Sequence, residues 1–449
     1  MDNELSALFN IFQEFYYWIT VVLMFFIHVG FCMYEVGASR HKNHMHTLMK
    51  NTMLIPLVTV TFFYFGWWIY WALPNGPGIT GGIEWEAAAA NTPWSETMAP
   101  HMQDRITGVF WAAFLLFSWT AASIVSGSVI ERIKSSGFWI CAVLIGSVFW
   151  IIDAAWGWHS AGWMVQKLGY HDAYASGVIH AIAGGFALGI LVVLGPRIGK
   201  FAPDGTPRNI NPRNPWLVTI GLFLIYTGFW GFYVACNVPM LDVQSGDVEF
   251  YSATNIYLGP TTLGAITVNF LMSLSGGLLM GYIVSKGDAF WTYSSGLAGI
   301  IAASAGNDLY HPIQAMIIAA LGVVFMYNVH YFVERRFKVD DAVGAVAVHG
   351  YAGFFGVVIA GFVLWGFPSS PDDSFASINP LGQFIGALIM FGLLGFLPGF
   401  IAAKILNAFG MLRIPKQVEL MGLDMASSQQ FLADEKAIIE AERAEIGRP

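Results

Sequence analysis

Two stretches of the chain carry one pattern of chemistry-bearing residues. Asp172 leads through seven residues to His180, then to Ala183, Gly184 and Phe186; Asp341 leads through seven residues to His349, then to Ala352, Gly353 and Phe355. Imidazole is the side chain that gains and loses a proton near neutral pH, and an ionisable group inside an apolar stretch is by default a functional one. A bland alternative has each imidazole merely bonding a backbone carbonyl. That explains one buried histidine, but poorly explains two at equivalent places.

Elements able to position such a pair follow from composition. Of the 449 residues, 56% are hydrophobic and 11% charged, against roughly a quarter charged in soluble domains. Apolar runs lie near 15–38, 51–74, 107–130, 136–156, 174–195, 215–237, 260–285, 290–306, 311–333, 341–366 and 380–407. Several exceed the ~20 residues that cross a bilayer as helix. The expectation is an all-α integral membrane protein of eleven transmembrane helices, with a transmembrane domain over 1–414 and a cytoplasmic tail over 415–449. The eighth run is short and the tenth is Gly-rich, as expected of broken or tilted helices.

Basic residues orient the bundle. With the N-terminus outside, inner connections hold Arg40, Lys42, Lys50, Arg132, Lys134, Arg197, Lys200, Arg208, Arg213, Lys286, Arg335, Arg336, Lys338, Lys404, Arg413 and Lys416, and outer ones only Arg105 and Lys167. That asymmetry predicts N-terminus out and C-terminus in the cytoplasm. Spans one to five and six to ten then form two five-helix halves (about 15–195 and 215–366), with the eleventh appended. An odd number of crossings inverts the second half, and equivalent residues of inverted halves meet near the midplane. His180 and His349, about eight residues or roughly 12 Å into their helices, are placed to face each other there.

The remaining features set bounds. A net charge of -8 with scattered basic residues gives no footing for nucleic acid. Cys32, Cys141 and Cys236 lack metal or redox spacing. His28 reads as packing; His41, His44 and His46 as an inner loop; His159, His171 and His311 as outer-loop or span-edge residues. No metal or other cofactor is indicated, no nucleophile–base arrangement points to an enzyme, and no cleavable signal is expected after Met1-Asp2-Asn3-Glu4. The outer loop carrying Glu84, Glu86 and Glu96 reads as solvated, with an acidic vestibule as the other reading. Asp434 to Glu445 has the composition of a helix.

Several motifs resemble the ammonium transporter (Amt/Rh) family. They are the Asp-x7-His elements, Asp340-Asp341 ahead of Val348-His349-Gly350, Glu131-Arg132-Ile133, Met49-Lys50-Asn51, Gly228-Phe-Trp-Gly-Phe232 and Gly422-Leu423-Asp424. The resemblance runs from about residue 15 to 425. It implies that His180 and His349 are twin pore histidines and that Phe117 and Phe232 are stacked gate residues. Trp158, Phe117 and Cys236 would form an outer recruitment site, with Asp172 beneath it acting through local structure and charge. It further implies a homotrimer in the cell membrane, one pore per subunit, with a possible regulatory protein at the inner mouth.

Two departures bear on substrate. Cys236 stands where many members have a serine that bonds the incoming cation, and Ala113 where an additional aromatic is common. Thiol is a weaker acceptor than hydroxyl. Alternatives on the same fold are therefore a channel for a small neutral or methylated solute (an amide or methylamine) and an ammonium sensor acting through its tail.

Overall fold

In the computed structural model, residues 2–76, 83–96, 105–244, 247–426 and 440 are described. Among the described residues, ten helices are long and apolar enough to cross a membrane: α1 (Glu4–Ala38), α2 (His41–Ala72), α3 (Val109–Ser128), α4 (Ser135–Gly157), α5 (Ser176–Leu194), α6 (Pro215–Ala235), α7 (Leu263–Val284), α9 (Pro312–Phe337), α10 (Val346–Val363) and α11 (Pro380–Ala408). The eighth position is taken by α8 (Ala289–Ala303), fifteen residues long, mostly buried and prolonged by a 3-10 turn over Ser304–Gly306. At 1.5 Å per residue it spans about 22 Å. The chain is thus a multi-pass membrane protein of the expected all-α class.

Starts are fixed by caps where the sequence supplies them. Asn214 accepts the Leu217 N–H ahead of Pro215, Asp288 that of Trp291, and Asn379 that of Gly382 ahead of Pro380; side-chain oxygens satisfy donors that a helix end leaves unpaired. Where hydropathy alone set the boundary, it fell short. α1 begins about eleven residues before residue 15, and α2 begins at His41 instead of 51. Lys50, read as a loop residue, is therefore inside α2 and 1% exposed.

α1 packs along α6, helped by glycines that let the backbones meet. A Cβ on Gly30 would lie 2.5 Å from the Gly221 carbonyl oxygen, the close small-residue contact by which membrane helices associate. Outward surfaces carry apolar side chains such as Tyr64, Phe223, Leu279, Phe332 and Phe362, while Glu35, Lys50, Arg132 and Asp340 are buried. On one face an antiparallel hairpin, β1 (Asn237–Gln244) with β2 (Asp247–Thr254), pairs further with β3 (Pro260–Thr261).

The opposite face gathers basic residues into a lock between the two halves. Arg197, just past α5, bonds Asp340, just before α10, through its Nε and Nη2 (both 2.9 Å) and backbone N–H (2.8 Å). Arg132 donates to the Gly195 carbonyl at 2.9 Å, and Arg40 pairs with Glu131 at 2.7 Å. Although burial raises it, Arg197 and then Arg132 hold the Asp340 carboxyl well below the usual aspartate range. The first part of the tail is docked here. Glu419 binds the Ile198 N–H (2.7 Å) and Arg413 (2.8 Å), and Asp424 accepts from Met45 and His46 (3.0 and 2.9 Å). Of the stretch from Asp434 to Glu445 only Glu440 is among the described residues, and the Glu84 side chain lies outside them.

Candidate functional site

The two histidines ride on matching one-turn widenings. Ser176–Ala181 and Val346–Tyr351 are π-helical turns at the heads of α5 and α10, a feature that concentrates at functional sites. In the first, the His180 N–H reaches back five residues to the Ala175 carbonyl at 3.2 Å. The aspartate of each repeat holds its turn. Asp172 accepts the N–H groups of Ser176, Gly177 and Val178 at 2.7, 2.7 and 3.0 Å. Asp341 accepts those of Ala345, Val346 and Ala347 at 3.0, 2.8 and 3.3 Å. A carboxylate there answers both the unpaired donors and the positive end of the helix dipole.

The imidazoles meet. His180 Nδ1 and His349 Nδ1 are 3.0 Å apart, with rings inclined by 28° and centroids 5.1 Å apart. Both residues are essentially buried. One nitrogen of the pair must donate and the other accept. The approach depends on the Ala-Gly that follows each histidine. A Cβ on Gly184 would sit 2.2 Å from the Gly350 Cα, and one on Gly353 would sit 2.2 Å from the Ser176 carbonyl oxygen. Each repeat thus uses its glycine to press against the other repeat's π turn.

From the pair, aromatic rings run outward in contact. His180 stacks on Phe229 and Phe232, both at 5.7 Å. Phe232 meets Phe117 edge-on at 4.8 Å and 81°, and Phe117 meets Trp158 at 5.3 Å. Beyond Phe117 lies a cavity of about 10 Å³ whose lining includes Phe110, Phe114, Trp158, Cys236 and Asn255. Trp158, Phe117 and Cys236 therefore share one cavity, and Phe232, off its lining, lies behind Phe117 toward His180. Asp172 is not on this lining. Its carboxylate is taken up by the α5 turn and by the Tyr170 hydroxyl at 3.1 Å, while its carbonyl accepts the Trp158 indole N–H at 2.6 Å and its N–H donates to Tyr257 Oη at 2.9 Å. It thereby orients the ring without facing the cavity. Burial pushes its carboxyl up from the ordinary aspartate value, and the N–H donors of the turn pull it back.

Cys236 turns its thiol onto its own helix, the Sγ lying 3.3 Å from the Phe232 carbonyl oxygen. Ala113 is buried and absent from the lining; the added aromatics come from Phe110 and Phe114. The signal for them lies in α3, where 110, 114 and 117 follow the four-then-three spacing of one helix face. On the opposite side, Phe31 contacts His349 at 5.9 Å, and a further cavity of about 20 Å³ opens between His349 and Glu35. Hydropathy gave no hint of either contact. Glu86 and Glu96 are exposed and take no part in the outer lining, in keeping with a solvated loop.

Known proteins resemble this chain over most of its length. The sequence pattern of the Ammonium Transporter Family matches residues 15–432. Ammonium transporter Amt2 of Archaeoglobus fulgidus is 30% identical over 426 residues, covering 90% of this chain and 84% of that one. Ammonium transporter Amt2 of Methanocaldococcus jannaschii is 29% identical over 97% of this chain and 95% of its own length. Among solved structures, one described as a Sensor Amt Protein superposes with a TM-score of 0.76 at 22% identity, covering 94% of this chain and 99% of that one. Candida albicans Mep2 superposes with a TM-score of 0.66 at 18% identity, covering 90% of this chain and 86% of that one. These structural likenesses speak to the fold.

Proposed function

The chain belongs to the ammonium transporter family, a family of transporters and not of enzymes, and on that premise we propose how it carries ammonium across the membrane. Ammonium is recruited at the aromatic cavity of Trp158, Phe117, Phe114 and Cys236, loses its proton, and crosses the Phe117/Phe232 gate and the histidine pair as ammonia. The observation that carries this reading is the 3.0 Å contact between His180 Nδ1 and His349 Nδ1 at the inner end of an apolar aromatic column.

Magnitudes favour shedding the proton. A bare ion moved into low dielectric costs on the order of tens of kcal/mol. Cation–π contacts with Trp158 and Phe117 return about 2 kcal/mol. Deprotonation near neutrality costs about 3 kcal/mol, ammonium titrating roughly two pH units higher. Two neutral imidazoles joined by one hydrogen bond then offer a donor and an acceptor to ammonia and a route for its proton.

One observation favours a second substrate class. With the Cys236 thiol committed to Phe232, the cavity offers rings more readily than polar acceptors, and aromatic surroundings suit methylated ammonium ions. We assign the protein further to the plasma membrane as a homotrimer, N-terminus out and C-terminus in the cytoplasm, with the transmembrane domain over 1–414 and the tail over 415–449.

The test is electrical recording from proteoliposomes on ammonium pulses, with methylamine and amide tracers alongside. A saturable current abolished in His180→Ala supports the relay. Rapid tracer uptake without current moves the assignment to a neutral-solute channel, and silence in both points to a sensor acting through its tail.

A further inference from the structure

A proton shed by ammonium at the aromatic cavity and relayed through the histidine pair needs a route to the cytoplasm, and the structure carries a buried carboxylate on that side. The cavity of about 20 Å³ inward of His349 is lined by Glu35, Tyr34, Ser123, Gly127 and Ser294 together with apolar side chains. A space of that size holds about one water. Glu35 is 0% exposed, and its two oxygens are treated differently. Oε2 is held by the Ser126 hydroxyl at 2.7 Å and Asn51 Nδ2 at 3.0 Å, with Lys50 Nζ at 3.5 Å. Oε1 is buried with no hydrogen-bond partner. It lies 3.6 Å from where a Cβ on Gly127 would stand, on the cavity side.

A buried carboxylate oxygen without a partner is costly, and a purely structural ion pair would place both oxygens to advantage. Lys50 does not need the second one, since its ammonium also donates to the Ser126 carbonyl at 2.8 Å. The groups facing Glu35 are thus Lys50 and Asn51 from α2, Ser126 from α3, and His349 across the cavity from α10.

We infer that Glu35 is the inner proton acceptor of the transport cycle, taking through one bridging water the proton that the histidine pair relays. This rests on the relay reading above. In the step, the His349 imidazolium gives its proton to the water as the water gives one to Glu35 Oε1. The histidine pair returns to neutral and the carboxyl becomes uncharged. Glu35 then releases the proton to the cytoplasm, where ammonia is reprotonated. Lys50, Asn51 and Ser126 are positioning residues that keep Oε2 fixed and leave Oε1 free.

The experiment compares ammonium-evoked currents in proteoliposomes holding the full chain, Glu35→Gln, and the double variant Glu35→Gln/Lys50→Gln. Size-exclusion elution and thermal unfolding verify that each variant folds. The double variant removes the buried cation that the single change would strand. An acceptor role predicts a current at least tenfold lower in both variants. Wild-type-like current in Glu35→Gln, or its recovery in the double variant, overturns the proposal and reduces Glu35 to a partner for Lys50. Tracer uptake without any current in the unsubstituted protein instead overturns the histidine relay itself, separating the two failures.

Discussion

Ala175 and Gly344 occupy the same place in the two repeats, three residues after Asp172 and Asp341, and both hold left-handed backbone, at φ 72° and 68°. That geometry turns the chain so that each aspartate can reach the N–H groups of the π turn following it. Glycine adopts it freely, whereas a Cβ costs roughly 1–2 kcal/mol there.

Ala175→Gly is accordingly expected to stabilise the protein by about 1 kcal/mol. Thermal unfolding in detergent reads this as a raised midpoint. A lowered midpoint would mean that the packing of the Ala175 methyl outweighs its backbone strain. The reverse change, Gly344→Ala, is expected to destabilise, since its Cβ would also come within 3.0 Å of the Trp291 ring.

The glycine after each histidine gives a sharper expectation. Gly353→Ala would drive a methyl to 2.2 Å from the Ser176 carbonyl oxygen and 2.9 Å from the Ala181 N. Backbone cannot yield as a flexible side chain does, so α5 and α10 must part and the Nδ1 contact must lengthen. Overpacking of this kind costs about 1–3 kcal/mol. Transport current should fall more than unfolding stability, and equal current in well-folded Gly353→Ala would contradict the requirement for close approach.

The histidine pairing was legible in the sequence because an internal repeat states it twice. The Asp-x7-His spacing and the inversion imposed by five crossings place His180 opposite His349 without any coordinates. The π turns were not legible, because their residues are as apolar as any helix and the extra residue per turn follows from the three-donor grip of Asp172 and Asp341. Boundaries of α1 and α2 were missed for a related reason. Lys50 is polar and reads as loop, yet Glu35 from another helix makes its burial tolerable. Phe110 and Phe114 needed only the helical phase of Phe117, whereas the thiol of Cys236 could not be aimed from sequence at all.

At the outer cavity, Phe114 lies 5.8 Å from Phe117 and 6.3 Å from Trp158. If its ring attracts the incoming cation, removing the ring removes about 0.5–1 kcal/mol at a partly open site. Phe114→Leu should therefore raise the half-saturating ammonium concentration about two- to fivefold and leave the maximal current near its starting value. A change in maximal current alone would assign Phe114 to the gate instead of recruitment.

The lock between the halves predicts a pH dependence of stability. The Asp340 carboxyl is held below its ordinary value in the folded protein, chiefly against the cost of burial by Arg197 and Arg132. Its contribution is therefore complete above the unfolded aspartate value of about 4 and is lost as pH falls through the lower folded value. Unfolding midpoints measured from pH 7 downward should stay level in this respect until about pH 4 and then drop. Asp340→Asn leaves Arg197 and Arg132 short of a buried partner and should cost about 3–5 kcal/mol near neutrality. Its stability should also change less between pH 4 and pH 2 (about two units around the aspartate range), because the titrating group is gone. If the variant's acid profile ran parallel to that of the unsubstituted protein, the acid sensitivity would belong to another carboxylate of the same face, with Glu131 beside Arg40 and Arg197 the next to replace.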